Sequence, residues 1–392
     1  MHRWLIAMAF LMNIFISPRS DGVVFNGANT VYKFGEEVTF LINVQPADAV
    51  EHLYLFIQPE GNNTRVETVS VNTQGNSVYT YDARQFPLRP FAQTYYWYRA
   101  VLSGGKEVES TRYSFVYVDN RFDWQSMSDG NIEVHWYDGE PSFGQDVLNA
   151  ATSGLDSARS YLPVGDPVEG DQPIRIYVYA HGTDLQQALQ LTQQSWVAGH
   201  ASPDIGTILI SVGSGPEQRM ELARQIPHEI THLLQYRIVG NNYSKVPVWL
   251  LEGAASMAEL YPNTDYTRVL DNAKKENSLL SIRSLCSTFP KEASGAFLAY
   301  AESESFVHYL YNRYGTTGLL TLFTVYGTGA DCEEGTKQVY NIPLDQLDTQ
   351  WRRETLNMDV KAFALQSLFP YILIALLFLV SPLVMILYFR RK

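Results

Sequence analysis

Basic charge is what this 392-residue sequence is short of: 29 Lys and Arg stand against 41 Asp and Glu, a formal net charge of −12. That balance opposes attraction to nucleic-acid phosphates and anionic lipid, so a nucleic-acid partner is set aside. Cysteine is scarcer still. Cys286 and Cys332 are the whole complement, so the chain can form one internal disulfide at most, and sequence leaves open whether the two meet. Long uncharged apolar runs are confined to the two ends. What is plentiful is apolar and aromatic side chain: 46% of residues are hydrophobic, with 25 Tyr, 19 Phe and 7 Trp. That is enough to build packed cores, and the length suggests two folded units.

The end segments read as targeting signals. Residues 1–20 carry Arg3 and then a mostly apolar run from Trp4 to Ile16, the pattern of an export signal and short for a bilayer span. Residues 369–389 run without a charge, and about 21 residues at 1.5 Å rise match a hydrocarbon slab of about 30 Å. Arg390, Arg391 and Lys392 follow, a basic tail that favours the cytoplasmic side. The expectation is therefore a signal peptide at 1–20, a juxtamembrane linker at 358–368, a transmembrane helix at 369–389 and a cytoplasmic tail at 390–392. The protein would sit in the cell membrane as a single-pass chain with its folded domains outside the cytoplasm.

Between the ends the pattern changes once. From 21 to 120, short alternating runs such as "EVTFLINV", "HLYLFIQ" and "TYYWYRAVL" are separated by turn signals such as "PEGNN" and "LSGGKE". About seven strands in about 100 residues predict an all-β immunoglobulin- or fibronectin-like sandwich, although the inter-sheet cysteine pair of antibody domains is absent. No catalytic constellation falls in it, and it reads as an accessory domain. From 121 to 357 strands alternate with helical segments and then give way to helices, predicting an α+β domain with a small sheet and a helical half.

The chemistry concentrates in "QIPHEITHLLQ". Positions i and i+4 of a helix share a face, so His228 and His232 bring two imidazoles to one ion, and Glu229 beside them is placed to accept a proton from water. A chain with eight histidines yields this pattern by chance on the order of 0.01 times. Pro227 complicates the helix: either one helix kinks there or a new helix starts with proline at its first position. A third ligand is needed. The metzincin continuation is excluded, because Gln235 and Ile238 occupy the positions of its glycine and histidine. The better candidate is Glu252 in "VPVWLLEGAASMAEL", one turn into a helix that Pro247 suits as a start.

HEITH followed twenty residues later by the glutamate of "WLLEGAA" resembles the gluzincin zinc metallopeptidases, particularly the peptidase MA-like group. The resemblance covers about residues 130–355. It implies a zincin-like fold, one Zn2+ on His228, His232 and Glu252, Glu229 as general base, and a peptide or protein as substrate. "WVAGHASPDIGTILIS" resembles the strand region that precedes the zinc helix in that group, with "GTILIS" as the edge on which an extended substrate would add a strand. Glu259 reads as a solvated charge in preference to a partner of the ligands, and Tyr300 as a candidate oxyanion donor. His200 and His308 read as ordinary surface or packing residues. The rival reading is a cell-surface binding or adhesion protein whose zinc site is structural or inactive. Oligomeric state is not legible.

Overall fold

Alternation of apolar and polar residues gives strands a buried and an exposed face, and the first part of the chain shows it throughout. The computed structural model describes residues 22–165, 173–190, 199–261 and 263–358. Its first compact unit runs to Asp123 and includes 187–191. Eight strands form it: β1 (Val24–Lys33), β2 (Glu37–Gln45), β3 (Val50–Pro59), β4 (Arg65–Val69), β5 (Asn76–Asp82), β6 (Gln93–Leu102), β7 (Glu107–Glu109) and β8 (Tyr113–Val116). One sheet has the order β1-β2-β5 and the other β4-β3-β6-β7, with β8 also beside β6. Val38, Phe40, Ile42 and Val44 are the buried alternate positions of β2, and Leu53, Leu55 and Ile57 those of β3. Phe40 meets Tyr96 edge-on at 5.1 Å between ring centres.

The second unit is built on a five-stranded sheet of β9 (Gln125–Asp129), β10 (Ile132–Trp136), β11 (Ile174–Tyr179), β12 (Gly199–Ser202) and β13 (Thr207–Ser211). The order is β12-β13-β11-β10-β9. β10, β11 and β13 are parallel, and β9 and β12 are antiparallel edges. Parallel strands covered on both faces need continuous apolar sequence, and "IRIYVY" and "TILIS" supply it. Helices α1 (Pro141–Tyr161), α2 (Gly182–Ala188), α3 (Gln218–Val239), α4 (Val248–Met257), α5 (Asp265–Glu276), α6 (Ala293–Gly327), α7 (Cys332–Tyr340) and α8 (Leu344–Glu354) make up the rest. Val147, Ala151, Ile226 and Ile230 pack α1 and α3 onto Val134, Ile176 and Ile208 of the sheet. A second core around Trp249, Phe306, Phe323 and Trp351 joins α4, α6 and α8.

Small residues set how closely the helices approach. A Cβ at Gly253 of α4 would lie 2.4 Å from the Ser303 carbonyl oxygen, so only glycine lets α4 cross α6 at this depth. The "LEGAA" motif thus has a packing reason beside its glutamate. α6 runs through a left-handed Gly315 (φ 65°), which divides it into two helical segments.

Cys286 and Cys332 are joined, closing a separation of 46 residues. A loop of that length lowers unfolded-chain entropy by an amount worth about 4 kcal/mol. Paired Cys286→Ser and Cys332→Ser substitutions should lower the unfolding free energy by roughly 2–5 kcal/mol in denaturant titrations. A loss below about 0.5 kcal/mol would mean that the pairing is not formed or not stabilising.

The membrane-spanning expectation is corrected. Among the described residues no helix is long and apolar enough to cross a membrane. Even α6, the longest, carries Glu302, Glu304, His308 and Arg313, because each of its faces meets a different environment. The 1–20 and 369–389 segments lie outside the described residues. The C-terminal transmembrane helix and the single-pass cell-membrane placement drawn from it are therefore withdrawn.

Candidate metal centre

α3 is one continuous helix with Pro227 inside it. Proline has no N–H for the Ala223 carbonyl four residues back, and the Leu260 N–H fills that place at 2.9 Å. The proline ring sits over Gly154 of α1, where a Cβ would come within 2.9 Å. The missing helical bond therefore becomes a docking point for residues 258–261, held further by Ser157 Oγ donating to the Ala258 carbonyl at 2.8 Å. Docking this segment brings Glu259 back to α3.

His228 and His232 lie one turn apart on α3, and α4 crosses so that Glu252 points at both. His228 Nε2 is 3.2 Å and His232 Nε2 3.7 Å from Glu252 Oε2. The three donors all lie within 4.8 Å of one another. Tetrahedral ligands at about 2.0–2.1 Å from one ion stand about 3.3 Å apart, so the spacing fits a single zinc-sized cation.

The far nitrogen of each ring decides whether Nε2 is free to ligate. His228 Nδ1 lies 3.3 Å from Glu259 Oε1; a carboxylate accepts, so Nδ1 carries the proton. For His232 the argument runs through an amide. Gln235 Nε2 donates to the Leu251 carbonyl at 2.8 Å, which turns Gln235 Oε1 towards His232 Nδ1 at 2.9 Å, and that nitrogen must donate. The Tyr243 hydroxyl lies at the same nitrogen, also at 2.9 Å. With each Nδ1 occupied as a donor, Nε2 is the nitrogen of each ring that faces Glu252 and can pass to a metal, the arrangement in which partners behind the ring orient a ligating histidine.

Electrostatics mark the place as one for a cation. Burial opposes charge on His228, but Glu252 and Glu259 on its two sides outweigh that and raise its pKa well above the usual value. A divalent cation seated there takes the place of the proton. Burial likewise opposes ionisation of Glu252, yet His232, His228 and the Tyr300 hydroxyl hold its pKa below the usual carboxylate value. Glu229 is buried and differs in direction: burial raises its pKa, and the nearby His232 and His228 offset only part of that.

β12 holds Glu229 in place. A Cβ at Gly199 would lie 2.4 Å from Glu229 Oε1, so only glycine leaves room for the carboxylate against this strand. A cavity of about 350 Å³ opens beside this carboxylate and His228, lined also by Arg224, Asn263, Tyr266 and Tyr300.

The structure thus brings His228, His232 and Glu252 together, with Glu229 at the rim of the same cavity. Two readings change. Glu259 is a buried hydrogen-bond partner of His228 rather than a solvated charge, because the Leu260 link pulls it inward. Tyr300 lines the same cavity as His228, with 6.2 Å between the ring centres. "GTILIS" forms β13, paired on both sides; the open edge is β12, which among the described residues pairs only with β13. Tyr243 was missed altogether, and Gln235 was noted only as a departure from another motif. Its i,i+3 spacing from His232 was the available signal.

A sheet whose edge strand adjoins a helix bearing two histidines, crossed by a second helix bearing a glutamate, defines a metallopeptidase-like protein. Residues 162–357 match the model of the Peptidase MA superfamily, and the chain belongs to that family. None of the curated proteins matches it. Distant likenesses are found among solved structures. A bromine derivative of BhCBM56 has 10% identity and a TM-score of 0.19, over 23% of this chain and 88% of that one. OgpA from Akkermansia muciniphila has 13% identity and a TM-score of 0.22, over 26% and 30%. The purple acid phosphatase PPD1 from yellow lupin (Lupinus luteus) has 11% identity and a TM-score of 0.21, over 48% and 35%. The chain thus spans about a third of the length of the last two, and at these scores none bears on the site.

Proposed function

We propose that this protein is a zinc-dependent peptidase that hydrolyses peptide bonds with Glu229 as general base. The observation that carries the reading is the convergence of His228 Nε2, His232 Nε2 and a Glu252 oxygen within 4.8 Å, with each ring's other nitrogen tied to a partner. Two imidazoles and one carboxylate suit zinc, and three protein donors leave a coordination position open. When bound there, zinc supplies Lewis acidity that lowers the pKa of water towards about 7.

The chain's own residues do the rest. Glu229, buried beside Gly199 of β12, takes a proton from the attacking water and delivers it to the departing amine nitrogen. An extended peptide adds to the open edge of β12, which sets its backbone beside Glu229. Family membership supports the same class of reaction.

A peptide library incubated with the purified protein tests this. We expect cleavage that stops on chelation and returns when zinc is added in equimolar amount. An intact library in the presence of zinc would overturn the proposal.

A further inference from the structure

A second cavity, of about 470 Å³, adjoins the one beside the metal cluster, and both are lined by Asn263 and Tyr266. It lies one turn along two helices from Glu252 and Tyr300: Ser256 of α4 follows Glu252 by four residues, and Glu304 of α6 follows Tyr300 by four. That spacing keeps each pair on one helix face. α5 contributes Asp271 and Lys274 to the opposite wall.

Of the charged groups in this lining, Lys274 donates to the Leu356 carbonyl and Asp271 is exposed. Glu304 is half-buried, and among the described residues its carboxylate has no hydrogen-bond or ion-pair partner. Burial, and then repulsion from Glu259, push its pKa up to about 7. A carboxylate held in a cavity without a partner carries a desolvation cost that a bound cation offsets through a charge-assisted hydrogen bond. The cavity shares Asn263 and Tyr266 with the cleft beside His228 and Glu229, so a peptide lying in that cleft has a route for a cationic group into it.

We propose that this cavity is a subsite for a primary ammonium group of the substrate, either a lysine side chain or the α-amino terminus, with Glu304 as its anionic partner. The inference takes the peptidase reading as its basis and narrows the substrate class.

Binding and cleavage are measured separately so that the two can fail separately. Short peptides with lysine walked through every position are compared with their acetyl-lysine counterparts, and free amino termini with acetylated ones. Calorimetric titration onto zinc-loaded Glu229→Gln protein should show at least about tenfold tighter binding of the ammonium form in one of these series. The responding series distinguishes side chain from terminus. Adding Glu304→Gln should bring the ratio to about one, whereas Glu304→Asp, which keeps the charge, should retain part of it. Equal affinities throughout, no binding of any peptide, or a preference that survives Glu304→Gln overturns the subsite. A preference that vanishes with Glu304 while wild-type protein cleaves nothing supports the subsite and overturns the peptidase reading alone.

Discussion

Glu229→Gln is expected to lower kcat/KM on peptide substrates by about 10²–10⁴-fold with zinc content unchanged. Gln has nearly the same shape, so the close approach of Gly199 is respected. What it lacks is a site that takes a proton at neutral pH. The three metal donors are on other side chains, so elemental analysis should match wild type. A variant that loses activity and zinc together would show that Glu229 shapes the metal site, and one that keeps full activity would remove it from the chemistry.

The second large effect is on the metal itself. Glu252→Ala removes the only donor that α4 contributes, and zinc affinity should fall by well over about 100-fold, with activity following. Glu259→Gln is the informative companion. It leaves all three donors in place and weakens only the bond behind His228 Nδ1, for which a 10- to 100-fold loss in affinity is expected. Competition with a chromophoric chelator measures both. Equal losses in the two variants would make Glu259 a ligand in its own right, and no loss from Glu259→Gln would return it to an ordinary buried charge. A fold-wide defect separates from these outcomes through the melting temperature of the metal-free proteins.

How legible the site was in advance depended on the range of the interaction. His228 and His232 are related by helix geometry alone, and their placement on one face follows from spacing once the segment is helical. The strands of the first unit were legible for the same reason, since an alternating run carries its own inside and outside. Glu252 needed more: a turn at Gly240 and a start at Pro247, both visible, and then a crossing depth that Gly253 permits. Pro227 looked like a disturbance in the helix. Its consequence, an acceptor on Ala223 that captures Leu260 and turns Glu259 onto His228, involves residues more than thirty positions apart and has no periodic trace.

The sequence by itself determined the elements that a repeating local pattern encodes: a strand-rich first part, a sheet-then-helix second part, and a pair of imidazoles beside a glutamate on one turn of helix. Only the tertiary structure decided which strand is an edge, that Cys286 meets Cys332, that Glu259 lies against His228, and that Glu304 stands without a partner among the described residues. The physical reason is that strand order, helix crossing and the isolation of a charge are settled by packing between distant segments. A linear pattern of 2 or 3.6 residues carries no record of them.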